Sequence, residues 1–197
     1  MRLGRPLSPV RPDSPALVPM LPRYDAPVTS RDEAVAILEE GHRALAELFA
    51  HLSDEAFSRR GTIGSGGEWS AKDLAAHLGL WEELAVESID AFGRGERPAI
   101  EDRFDEDGAG DRVNDDGVRR SLDAHPADVR VRFEDLHARV VDAILATGDE
   151  GWIAPYPYDD EDTTLGDRVG SLLGAEDGRF RHASAHLADL RAYVEAT

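Results

Sequence analysis

The 197-residue sequence contains no cysteine. Without thiols, neither a disulfide nor a thiolate metal site can form, so imidazole and carboxylate groups must bind any transition metal. This exclusion directs attention to the seven histidines.

Long apolar runs and basic clusters are also missing. No stretch approaches the roughly 18 consecutive apolar residues of a membrane span, and the N-terminus lacks the apolar core of a secretory signal. We therefore expect a cytoplasmic protein that does not bind membranes. The formal net charge is -18, with arginines scattered among acids, and phosphate groups would be repelled. We expect a small-molecule substrate and no binding to nucleic acid.

Proline is concentrated at the start of the chain. Residues 1–29 hold seven of the eleven prolines and show no apolar period, which predicts an extended or disordered tail. A proline-rich docking arm is the alternative, and Met20 is an alternative start. The remaining residues, 30–197, are enough to bury one core, which predicts a single domain.

Apolar periodicity predicts four long helices, over about 31–52, 71–93, 126–147 and 165–195. Three of them follow a capping box, in which a hydroxyl residue precedes an acid by three positions. The acidic stretch 93–117 predicts a solvated loop with a short helical stretch at 112–122, and 152–162 predicts a loop across the bundle. The expected fold is all-α, an antiparallel four-helix bundle.

Three histidines lie where such a bundle could hold a metal. His77 falls in the middle of the apolar face of the second helix, whereas His182 and His186 are four residues apart and project from one side of the last helix. Each observation has an alternative, because a lone inward histidine is more often hydrogen-bonded in the core and the pair could be half-exposed by chance. A structural or solvent role is expected for the other four: His42, His51, His125 and His137.

Three imidazoles would leave coordination positions open for water or substrate, as catalytic metal sites do. Zinc and nickel suit this ligand set best, and iron is also acceptable. Glu82 and Asp189 could orient the imidazoles. We expect Trp81, Trp152 and Tyr156 to line an adjacent pocket.

Two stretches resemble motifs of the DinB/YfiT-like superfamily. Residues 67–82 (GEWSAKDLAAHLGLWE) are similar to its second-helix motif, in which a histidine follows a Trp-Ser-x-x-Asp start. Residues 181–193 (RHASAHLADLRAY) resemble its final His-x-x-x-His motif. Asn114 and the third helix from Pro126 are most similar to the ClbS/DfsB self-resistance branch.

This resemblance covers about residues 31–195 and implies an up-down-down-up bundle, often a homodimer, with a His₃ metal site at His77, His182 and His186. It also implies a metal-dependent enzyme, a hydrolase or a thiol transferase. The metal would activate water or a low-molecular-weight thiol, mycothiol or bacillithiol, against a small electrophilic substrate. Two alternatives stay open: a non-catalytic binding protein of the ClbS/DfsB type, and a bundle with a purely structural metal. The glycines at 170–178 and the acidic 99–117 segment depart from the family pattern near the pocket, so the substrate is not implied.

Overall fold

A computed structural model describes residues 29–63, 68–104, 108–159 and 162–197. Within these ranges, strand-like pairing is limited to isolated bridges such as Ile63 with Trp69, so the predicted all-α class is confirmed. The helices are α1 (Arg31–Ala50), α2 (Asp54–Ser58), α3 (Ala71–Gly93), α4 (Ala99–Phe104), α5 (Ala109–Ser121), α6 (Pro126–Ala146), α7 (Gly148–Trp152), α8 (Leu165–Leu172), α9 (His182–Ala185) and α10 (Leu187–Glu195).

The three long helices begin where their sequence signals predict. The Ser30 hydroxyl accepts the backbone N–H of Glu33 at the start of α1. At the start of α3, Ser70 and Asp73 form a reciprocal capping box. Pro126 occupies the first turn of α6, where its missing N–H leaves no hydrogen bond unmade.

Helix α3 is the centre of the molecule. It packs against α5, α6 and α8, while α1 packs against α6, α9 and α10. Most α3 residues are buried, as expected of a helix covered on several sides. Four helical columns, formed by α1, α3, α6 and the C-terminal α8 to α10, are consistent with the expected four-helix bundle. Their up-down-down-up connectivity stays a prediction.

The last predicted helix is not continuous, and our prediction of an unbroken 165–195 helix was wrong. Helix α8 ends at Leu172, and the chain turns before α9 and α10 complete the column. Gly178 and Phe180 have positive φ angles of 145° and 62°. Neither angle belongs to a right-handed helix, so the glycine-rich segment forms a turn, in which Ala175 and Gly178 pair with each other, and interrupts the helix.

The acidic segment 93–117 is also more ordered than its composition predicts. Helix α4 and the first half of α5 lie within it, and Ile100 and Val113 are completely buried. The few apolar residues of this segment fall on the faces that pack against the bundle. The excess of acids hid their spacing, so the prediction of a loop was wrong for α4 and the start of α5, whereas the predicted helical stretch at 112–122 lies almost wholly within α5.

The C-terminal helix α10 is anchored by Tyr193. Its hydroxyl donates to the backbone carbonyls of Ala56, at 2.6 Å, and Arg59. Its ring lies so close to Gly61 that a Cβ there would be 2.2 Å from a ring carbon. This contact fixes the end of the chain against α2 and the segment that follows it.

Two further predictions concern the N-terminal tail and the membrane. The proline-rich tail falls almost wholly on residues 1–28, outside the described residues, so the division at residue 29 stays a proposal. Of the helices that the structure describes, none has the length and apolarity needed to cross a membrane.

Candidate metal centre

The structure brings the three predicted histidines together. His77 Nε2 lies 2.9 Å from His182 Nε2, and the His186 ring centroid lies 5.4 Å from that of His77 and 5.3 Å from that of His182. One ligand atom from each side chain lies within 4.8 Å of the other two. Ligand atoms around a tetrahedral zinc ion are roughly 3.3 Å apart, so small side-chain movements would give a coordinating arrangement.

His77 is positioned by the packing of α3. The capping box sets where the helix begins, and His77 follows nearly two turns later, 3% exposed. Helix α5 approaches the backbone at this point because Gly117 has no side chain: a Cβ there would be 3.1 Å from His77 Cα. The imidazole is therefore held on a rigid and almost inaccessible helix turn.

His182 and His186 are positioned by the turn after α8. The backbone N–H of Phe180 donates to the Gly170 carbonyl, and that of His182 donates to the Leu173 carbonyl. Helix α9 then lies against α1 at Gly41, where a Cβ would be 3.0 Å from Ser184 Oγ. The two histidines flank this close contact, which keeps them directed toward His77.

Burial keeps the three imidazoles neutral. It lowers the pKa of His77 well below the usual value, helped by the charges of the two neighbouring histidines. It lowers the pKa of His182 to about 3. It also lowers the pKa of His186, although Asp189 acts in the opposite direction. Neutral imidazoles have free lone pairs near pH 7, which a metal ligand requires.

Unpaired nitrogens provide a further test of whether a metal fits. The Nδ1 atoms of His77 and His182 are buried without a hydrogen-bond partner among the described residues. If both rings are neutral, a hydrogen bond between the two facing Nε2 atoms uses one proton, which one ring donates and the lone pair of the other accepts. A cation at the facing Nε2 atoms would satisfy the lone pairs that converge there, although it would not pair the Nδ1 atoms, so the fit to a divalent transition metal rests on the Nε2 donors.

Aromatic rings form part of the wall around the histidines. Trp69 lies 4.9 Å from His77 and Trp81 lies 5.9 Å from His182, measured between ring centroids. The Trp81 indole N–H donates to Asn114 Oδ1 at 3.0 Å. The sequence predicted Trp81 as a pocket residue, whereas Trp69 was noted only as part of the helix-start motif. Its position just before the cap of the helix that carries His77 is the signal that could have found it.

The other two expected pocket residues are interior residues. Trp152 and Tyr156 are each 1% exposed. Trp152 donates to the Thr29 carbonyl, and the Tyr156 hydroxyl donates to Glu101. Both polar groups are satisfied inside the protein, so these residues build the core and do not suit the wall of an open pocket.

The expected partners of the imidazoles are distributed differently. Asp73 is a capping residue, as predicted, and His125 caps α6 through its Nδ1. Glu82 contacts His137, on α6, and His137 stacks on His42 of α1. Structural or solvent roles were expected for these two histidines, because contacts between three helices are not visible in the spacing along one of them.

A family model described as the DinB superfamily matches residues 37–177. This chain belongs to the DinB superfamily. The match includes His77 and ends before His182, so the arrangement of the C-terminal pair rests on the structure. No curated protein sequence matches the chain.

Two solved structures have the same DinB-type fold. An uncharacterised protein from Escherichia coli UTI89 has a TM-score of 0.68 at 15% identity, covering 85% of this chain and 94% of that one. The colibactin self-resistance protein ClbS, in complex with double-stranded DNA, has a TM-score of 0.63 at 16% identity, covering 84% and 98%. The ClbS/DfsB branch, which the sequence motifs indicated, is thus represented among the structural neighbours of this chain. At 15% and 16% sequence identity, the structural similarity establishes the fold alone.

The second neighbour corrects our exclusion of nucleic acid. ClbS has this fold and its structure contains double-stranded DNA, so membership of this fold class gives no ground for that exclusion. Net charge was an insufficient criterion, because a phosphate backbone contacts one face of a protein, and the charge of that face can differ from the net charge. In this chain Arg120, Arg132 and Arg139 border neighbouring depressions along α3 and α6.

Proposed function

We propose that this protein is a metal-dependent enzyme that promotes attack of water or a low-molecular-weight thiol on a small electrophilic substrate. The convergence of three neutral imidazoles on one point is the observation that carries the proposal. The metal would be zinc or nickel, with iron as a further candidate.

Each side chain has a definite task in this proposal. His77, His182 and His186 would hold the ion, which would supply Lewis acidity at its open positions and lower the pKa of water or a thiol there. Trp69 and Trp81 would exclude solvent and contact apolar parts of the substrate. Asn114 would hold the Trp81 indole in place through its hydrogen bond.

Metal content provides the first test. We expect protein purified without a nickel column to contain a stoichiometric transition metal at this centre, and expect His182→Ala and His186→Ala to lower its affinity by more than 100-fold. The loss of a ligand should exceed the 10–100-fold effect typical of an outer-sphere partner. His51→Ala, a change of an exposed histidine, is the matched control. A metal content and affinity that the two ligand variants leave unchanged would contradict the proposal.

Turnover provides the second test. Electrophile panels would be assayed with water, mycothiol or bacillithiol, before and after chelation. We expect activity to disappear with the metal and to return when it is added back. A chelator that lowers Tm while no condition gives turnover would instead favour a structural metal that ties α3 to the C-terminal helices.

A second candidate function is binding without turnover, as in self-resistance. The fold likeness to the colibactin self-resistance protein ClbS favours it, and aromatic walls serve capture as well as catalysis. Stoichiometric capture of an electrophile, with no product released, would support it. Duplex DNA belongs in the ligand panel, at two salt concentrations, because phosphate contacts weaken as salt rises.

A further inference from the structure

A second group of potential metal ligands lies between α1, α3 and α6. His42, Glu82 and His137 each offer a ligand atom within 4.8 Å of the other two, and all three residues are less than 10% exposed. His137 Nδ1 lies 3.0 Å from Glu82 Oε1. The His42 and His137 rings are stacked with centroids 3.7 Å apart.

This group is separate from the His77 centre. Glu82 follows His77 by five positions on α3, which places it roughly 140° around the helix and about 7.5 Å further along its axis. The first centre faces α9 and α10, whereas the second faces α1 and α6. One ion therefore cannot serve both groups.

Two buried polar atoms of the second group are unpaired. His42 Nδ1 and Glu82 Oε2 have no hydrogen-bond partner among the described residues. A buried donor or acceptor without a partner is uncommon and calls for an explanation, such as an ion. Both atoms belong to residues of the same cluster, so one ligand could satisfy both.

The tautomer of His42 favours coordination through Nδ1. Its Nε2 lies 3.0 Å from the Glu134 carboxylate, to which a ring N–H would donate, leaving the lone pair on Nδ1. Metal-binding histidines commonly donate their second nitrogen to a carboxylate in this way. Burial lowers the pKa of His42, which keeps the ring neutral and its lone pair available.

We propose that His42, Glu82 and His137 form a second site for a divalent transition metal, with zinc as its preferred ion. Two imidazoles and one carboxylate are a ligand set that zinc accepts. The cation would also compensate the negative charge of the buried Glu82 carboxylate, which is costly to leave unpaired. Glu134, whose side chain is 59% exposed, would orient His42 and mark the solvent side of the site.

Coordination requires a local adjustment. The two stacked rings are within 7° of parallel, so their nitrogen lone pairs lie in two parallel planes. The rings must tilt toward a shared ion. This movement would require rotation of the His42 and His137 side chains, and His42 would shift against Phe133, on which it also stacks.

Zinc stoichiometry tests this site independently of the first. The full-length, tag-free protein would be stripped with a chelator, reloaded with zinc, desalted and analysed by mass spectrometry. We expect two zinc ions per chain in the wild type, one in His182→Ala, one in His42→Gln and none in the double variant. A single ion in the wild type that His42→Gln does not remove would overturn the second site.

Failure of the first centre has a different signature: zinc lost in His42→Gln and unchanged in His182→Ala. Circular dichroism would check that each variant is folded. His51→Gln, which changes an exposed histidine at the end of the same helix, should keep two ions.

A positioning variant covers the case in which His42→Gln fails to fold. Glu134→Gln changes a half-exposed side chain and leaves the ligands intact. In the His182→Ala background we expect it to weaken zinc affinity by about 10–100-fold, measured by competition with a chromophoric chelator. Unchanged affinity in Glu134→Gln would overturn the proposed role of Glu134 and, together with unchanged stoichiometry in Glu82→Gln, the site itself.

Discussion

The histidines of the two clusters differ in what their second ring nitrogen meets. His42 has the Glu134 carboxylate beside it, whereas the Nδ1 atoms of His77 and His182 have no partner among the described residues. An outer carboxylate makes an imidazole more basic and a stronger electron donor. An ion at the His77 centre would keep more of its positive charge, which favours Lewis-acid chemistry there over a purely structural role.

One glycine controls how the chain approaches this centre. A Cβ at Gly170 would lie 2.8 Å from the ring of Phe180, which is 1% exposed and cannot move aside easily. We expect Gly170→Ala to destabilise the protein by about 1–3 kcal/mol through overpacking. It should also weaken zinc binding, since Phe180 precedes His182 by two residues. Urea unfolding and zinc titration measure the two effects.

Gly110→Ala is the matched control for that substitution. Gly110 is also within a helix, α5, and a Cβ there would meet nothing within 4 Å. Alanine should leave stability unchanged or raise it by up to about 1 kcal/mol. Equal effects of the two substitutions would show that Phe180 yields easily and that Gly170 is not a packing constraint.

Among the elements, α3 has the largest role because it carries ligands of both proposed sites. Its first turn is fixed by Ser70, whose hydroxyl accepts the N–H of Asp73 and donates to the Asp73 carboxylate. These bonds are buried, so water cannot replace them. The start of α3 therefore sets the rotation at which His77 and Glu82 leave the helix.

We expect Ser70→Ala to lower the free energy of unfolding by about 1–2 kcal/mol, the upper part of the range for a lost cap. The exposed cap of α2 offers a comparison: Ser53 accepts the N–H of Ala56. Ser53→Ala should cost about 0.5 kcal/mol, because that helix is short and solvated. Chemical denaturation of both variants decides the point, and a larger loss for Ser53→Ala would refute it.

Local signals predicted the elements that depend on local interactions. The caps Ser30 and Ser70 and the first-turn proline Pro126 gave correct starts for α1, α3 and α6, because these signals involve residues within one turn. The break after Leu172 was not predicted, since the helical spacing resumes beyond it. At that break Phe180 packs on Gly170 and bonds its carbonyl, contacts between residues ten positions apart that helical spacing does not indicate.

In the candidate metal sites, too, the sequence predicted what depends on one helix and missed what depends on packing between helices. The inward position of His77 and the alignment of His182 with His186 follow from helical period, and the structure brings all three together. The cluster of His42, Glu82 and His137 was not predicted, because no residue of the three has a second, inward-facing potential ligand at metal-binding spacing on its own helix. Only the packing of three helices shows that their side chains meet.

For the molecule as a whole, buried histidines make stability depend on pH. Burial lowers the pKa of His42, His77, His182 and His186, so below about pH 6.5 the unfolded chain binds protons that the folded chain does not. Stability is then lost as pH falls, by at most about 1.4 kcal/mol per pH unit for each histidine and only until its folded-state pKa is reached. Glu82, whose pKa burial raises, opposes this trend near pH 4.5.

We therefore expect the Tm of metal-free protein to fall steadily from pH 7 to pH 5, measured by calorimetry in the presence of a chelator. His182→Gln removes one titrating group and should give a shallower slope. A Tm that is constant or rises over this interval would mean that the histidines are more accessible than the structure indicates.

The Tyr193 anchor gives the protein a kinetic property. Short helices at a chain end open locally at a lower free energy than global unfolding, and α9 with the start of α10 carries two of the three proposed ligands. Tyr193 lies seven residues beyond His186 and ties this end to the carbonyls of Ala56 and Arg59. An ion at the His77 centre could then leave only as fast as this end of the chain opens. That opening requires the Tyr193 hydroxyl to break its hydrogen bonds to the two backbone carbonyls. Metal exchange would be slow or fast according to a contact outside the coordination sphere.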